Sequence, residues 1–63
     1  MTRNELLDEL EARKLRRSFL LVELRQAERA GADTDPVLTA IANNRARMDE
    51  VMAMLQRIDR RAA

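Results

Sequence analysis

The sequence predicts an all-α protein: an antiparallel hairpin of two helices, at about 3–30 and 36–60, that dimerises into a four-helix bundle. Three observations carry this. The only glycine, Gly31, and the only proline, Pro36, lie close together near the middle of the chain. Each side of them holds a long, charge-rich stretch of good helix formers. Within those stretches apolar residues recur three and four positions apart, the period of a helix face. At 63 residues the chain makes a single domain, 1–63. A domain this short buries only about 60% of its unfolded surface and commonly needs a partner.

The first helix opens on Thr2 and Glu5, which have capping-box spacing. Glu5, Asp8 and Glu9 follow in the first turns, where the helix dipole favours anions. Leu6, Leu10, Leu20, Leu24 and Ala27 share one face, broken by Arg13 and Arg17 and widened by Leu7 and Leu21. Ala12, Leu15, Phe19 and Val22 share another. Around 19–24 the helix is apolar nearly all round, which calls for neighbours on more than one side.

The link is Ala30-Gly31-Ala32-Asp33-Thr34-Asp35-Pro36. Gly31 suits a left-handed C-cap and Pro36 a first helical turn. Asp35 is the expected N-cap of the second helix, with Thr34 as its rival. The second helix carries the sharper pattern. Val37, Ile41, Asn44, Met48, Val51, Leu55, Ile58 and Ala62 are spaced 4, 3, 4, 3, 4, 3, 4. That is a heptad seam whose polar member, Asn44, either fixes register from inside or meets water at the edge. Met52 and Met54 fall off the seam and suit a second interface, since methionine adapts to irregular gaps.

A fold about position 33 would set Glu5, Asp8 and Glu9 level with Arg57, Arg60 and Arg61. It would set Arg16 and Arg17 level with Asp49 and Glu50. The net charge is only +1 although 37% of residues are charged. Such a balance gives little pull toward nucleic acid or an anionic membrane. The basic run Arg13-Lys14-Leu15-Arg16-Arg17 is the candidate nucleic-acid contact, through Arg13, Lys14, Arg16 and Arg17. On a helix these side chains spread around the cylinder, so a solvated, paired face is favoured over an RNA site.

The chain has no Cys and no His. That removes thiolate and imidazole chemistry, and with it most nucleophile–base pairs and metal sites. Glu5, Asp8, Glu9 and Glu11 cluster opposite arginines, a setting that lowers carboxyl pKa values rather than raising one for acid catalysis. No Gly-rich phosphate loop is present. The expectation is therefore no catalytic residue, no cofactor, no metal and no small-molecule substrate. The longest apolar run, Phe19-Leu20-Leu21-Val22, is far too short to span a membrane. Charges interrupt the first ten positions, so no signal peptide is expected and the cytoplasm is the default location.

Two resemblances bear on function. The Met1-Thr2 opening, the Leu20-Leu21-Val22-Glu23-Leu24 segment and an Asp-containing bend resemble the Rop-type RNA-binding regulators. That family implies a hairpin dimer that binds RNA through an exposed Phe amid basic and amide side chains, for which Phe19 is the counterpart. Leu15-Arg16, Phe19 and Leu21, with Arg45 and Arg47, resemble the two-helix hairpin protein of the large ribosomal subunit. The Gly-Gln-Leu expected before its second helix is missing here. Neither assigns the chain to a family. The function expected is a non-enzymatic protein–protein interaction or assembly module, a small regulator that forms a homodimer or docks on partner helices. The alternative is a Rop-like RNA-binding hairpin. The expected interface is Leu15, Phe19, Leu20, Leu21, Val22 and Leu24 of the first helix with Ile41, Met48, Val51, Met52 and Leu55 of the second.

Overall fold

The computed structural model of the chain describes residues 1–62. They form two helices, α1 (Arg3–Ala30) and α2 (Asp35–Ala62), of 28 residues each. The caps explain where each begins and ends. The Thr2 hydroxyl accepts from the Glu5 amide at 3.2 Å, which is the forward half of the capping box, and donates to the Glu5 carboxylate at 3.1 Å. At the other end Gly31 takes φ 65°, the left-handed conformation. The Gly31 amide donates to the Glu28 carbonyl and the Ala32 amide to the Ala27 carbonyl, at 3.2 and 2.9 Å. Two orphan carbonyls of α1 are thereby satisfied in a Schellman motif.

The start of α2 differs from expectation by one residue. The Leu38 amide donates to the Thr34 carbonyl at 2.9 Å, which makes Thr34 the cap and Asp35 the first helical residue. The Asp33 carboxylate accepts from the Asp35 amide at 3.0 Å and closes the turn in front of it. Pro36 did not decide between the two caps, because a missing N–H is tolerated throughout a first turn. The far end of α2 runs on to Ala62, past the expected 60. Arg60 and Arg61 are favourable in a last turn, and no stop signal precedes them.

Leu6, Leu10, Met48, Val51 and Leu55 form the core, with Leu7, Met54 and Ile58 packed at its margin. Leu20 is buried separately, nearer the link. The seam read in the sequence is the packing face of α2: Asn44, Met48, Val51 and Leu55 are buried and Val37, Ile41 and Ile58 half-buried. Ala62 is exposed, because α2 has run past the end of α1 there.

Between that core and Leu20 lies a polar layer. Asn44 is 5% exposed. Its amide donates to the Arg13 carbonyl at 3.0 Å and to Met48 Sδ at 3.6 Å, and its carbonyl oxygen accepts from Arg13 Nη1 at 3.4 Å. Of the two readings of Asn44, the interior one holds.

The expected charge register does not. Glu9 meets Arg47, not a residue of 57–61, in a two-pronged contact at 2.6 and 2.8 Å. Arg3 pairs with Asp59 at 3.1 Å, and Glu50 with Arg47 at 3.2 Å. Neither Arg16 nor Arg17 forms an ion pair with Asp49 or Glu50 among the described residues. The seam and the Asn44 layer set the register, and exposed ion pairs worth about 0–1 kcal/mol follow it. The molecule measures 51 Å along its axis. A 28-residue helix is about 42 Å long at 1.5 Å per residue, so the helices are staggered.

Candidate interaction surface

The chemistry of the polar layer is structural. Glu9 accepts from both Arg47 and Arg13. Its carboxyl is held below its ordinary value of 4.5, first by the Arg47 hydrogen bonds, against a smaller opposing effect of burial. Arg47 is pushed further toward its charged form by Glu9 and Glu50. Of the other clustered carboxylates, Glu5 bonds Thr2 and Glu11 bonds Lys14. Among the described residues no group of three acidic or metal-ligating side chains could hold a metal ion.

Two of the apolar surfaces left uncovered among the described residues carry the residues expected at an interface. The first is a groove along one side, between α1 and α2. It has a volume of about 390 Å³ and is lined by Arg17 and Leu21 of α1 and by Ile41, Asn44, Arg45, Met48, Asp49 and Met52 of α2. The second is the stripe Ala12, Leu15, Phe19 and Val22. At about 100° per residue it lies on the side of α1 turned away from Leu6, Leu10 and Leu20. Leu15 is 60% exposed, Phe19 58% and Val22 50%.

The residues expected at an interface therefore divide three ways. Leu20, Met48, Val51 and Leu55 are buried within the hairpin itself. Leu21, Ile41 and Met52 line the groove, with Met48 at its floor. Leu15, Phe19 and Val22 form the outward stripe, while Leu24 is half-buried. Leu21 is about 100–160° around the helix from the stripe residues, so one flat contact cannot cover both groups.

The four candidate RNA contacts divide as well. Arg13 is tied to Glu9 and Asn44 in the interhelical layer, and Lys14 to Glu11 at 3.3 Å. Arg17 lines the groove and Arg16 is exposed. Phe19, expected to be covered by a partner, is exposed on the single hairpin.

Leu38, Arg45 and Asp49 were not among the expected interface residues. A signal for the groove was present: Ile41, Arg45, Met48 and Met52 are spaced 4, 3, 4, a second seam beside the first. Arg45 in its middle disguises it.

The architecture and its surfaces define an all-α helical hairpin with apolar side chains left over on two sides. No helix among the described residues is long and apolar enough to cross a membrane. Compared with protein-family models, curated proteins and solved structures, the chain finds no match.

Proposed function

We propose that this chain is a non-enzymatic interaction module, a helical hairpin that self-associates or docks on the helices of a partner protein. We place it in the cytoplasm as a small regulator or assembly factor. The observation that carries the reading is uncovered surface. The chain exposes 4911 Å². A compact monomer of its mass exposes about 4,200 Å². The excess, about 700 Å², is close to the roughly 800 Å² that each partner contributes to a standard protein interface. It arises from the rod shape, 51 × 15 × 15 Å, and much of it is apolar: Leu15, Phe19, Leu21, Val22, Leu38 and Met52 are all exposed. Each large apolar side chain left in water forgoes about 1.5–3 kcal/mol of burial.

One observation favours RNA as the second reading: Phe19 is exposed, with Arg16 close by in sequence and in no ion pair among the described residues. Salt separates the two. Association through apolar burial holds as salt rises, whereas RNA binding falls steeply through counterion release. Sedimentation and gel-shift series across salt concentrations test this. Tight, structure-selective RNA binding, abolished by changing Arg13, Lys14, Arg16 and Arg17 to Glu, would overturn the interaction reading.

A further inference from the structure

We propose that the outward stripe of α1 pairs with the same stripe of a second copy, antiparallel, with Phe19 on the two-fold axis. The inference rests on the interaction reading and names its partner and geometry. A contact between identical surfaces related by a two-fold axis must be self-complementary. The stripe meets that condition in shape and in charge.

Shape comes first. The large residues are centred on Phe19, with Leu15 four positions before it and Val22 three after. Run antiparallel against itself, the stripe sets Phe19 against the partner's Phe19 and Leu15 against the partner's Val22. Asp8 and Gln26 continue the spacing at the two ends and are exposed, so the apolar contact is short and closed by polar groups.

Charge follows the same axis. Arg16 and Glu23 lie on one flank of the stripe, three positions before and four after Phe19. In an antiparallel pair each flank meets its own counterpart, so Arg16 faces the partner's Glu23, and this happens twice. On the other flank Glu11 faces the partner's Arg29 by the same construction. Within the described chain Arg16, Glu23 and Arg29 form no ion pair, and Glu11 holds only the exposed Lys14. Arg16 and Glu23 are seven residues apart on one helix, about 10 Å along its axis, too far to pair with each other.

This arrangement places four helices side by side, with the two α1 helices inside and the two α2 helices outside. It leaves each groove open.

Because the chain has no cysteine, single-cysteine variants report the contact cleanly. Phe19→Cys, Leu15→Cys and Leu21→Cys remove exposed side chains, so all three are expected to keep the hairpin, as circular dichroism checks. On mild oxidation Phe19→Cys is expected to form a disulfide-linked dimer. Leu15→Cys is not, because two copies of residue 15 stand about 12 Å apart when 19 faces 19. Leu21→Cys is not, because it lies in the groove. In sedimentation runs, Arg16→Glu and Glu23→Arg are each expected to weaken dimerisation about ten-fold, two like-charge contacts having replaced two favourable ones. The double variant Arg16→Glu/Glu23→Arg is expected to restore it. Cross-linking at Leu15 would overturn the antiparallel order. Cross-linking at Leu21 but not Phe19 would overturn this contact while leaving self-association standing. A chain that stays monomeric and cross-links nowhere would overturn both this contact and self-association.

Discussion

Asn44 shows how much one residue settles in a two-helix protein. Two helices packed by leucine and methionine alone could slide past each other by a turn at little cost. A side chain that must donate to the Arg13 carbonyl cannot. Asn44→Ala is expected to cost about 1–2 kcal/mol through the lost bonds of a buried amide. Thermal melts followed by circular dichroism check it, and an unchanged midpoint would show that the layer does not hold the register. The same layer gives the fold an acid limb. Glu9 releases its proton more readily in the folded chain than in the unfolded one. Its contribution to stability is therefore complete above its ordinary value of 4.5 and is lost as pH falls below it. Glu9→Gln should melt earlier than the parent at neutral pH yet lose less on going to about pH 3. Equal losses for both proteins would mean that other carboxylates carry the acid sensitivity. The sequence placed Asn44 on the seam but left its burial open. It also set Glu9 opposite the wrong arginines, because it took the register from a symmetric fold about position 33, whereas the staggered helices bring Arg47 to Glu9.

At the scale of the helices, the sequence was legible wherever local chemistry decides. The Thr2–Glu5 box, the Gly31 cap and the α2 seam needed no tertiary information. The α2 start was harder, since Asp33, Thr34 and Asp35 all cap well and a single backbone bond to Thr34 decides among them. Faces were harder again. Which apolar face of α1 turns inward depends on what α2 brings to it, so Leu20 and Phe19, neighbours in sequence, have opposite fates. Gly31→Ala tests the link. A Cβ there meets nothing within 4 Å, so only the φ of 65° opposes it. The expected cost is about 1 kcal/mol. A loss much larger than that, in a chemical denaturation curve, would indicate packing around the link that the structure lacks.

For the whole molecule the balance lies between a small core and a large surface. Among the described residues six apolar side chains are buried, and seven large ones are exposed. Phe19→Glu removes nothing from the hairpin's own core, so in isolation it should leave the helices as they are. If association covers Phe19, the same change dissociates the assembly and lowers its melting temperature. Leu20→Ala acts differently, since it opens a buried site and should destabilise by about 2–5 kcal/mol whether or not a partner is bound. Groove and stripe face different ways around α1, so one flat contact cannot cover both.

The central claim, that this hairpin is completed by association, is tested most directly by analytical ultracentrifugation at micromolar concentration and above, with helicity followed in parallel. The account predicts a mass that rises above the 7.3 kDa of one chain and a melting temperature that climbs with protein concentration. A fully helical, cooperatively folded monomer whose melting temperature does not move with concentration would contradict it.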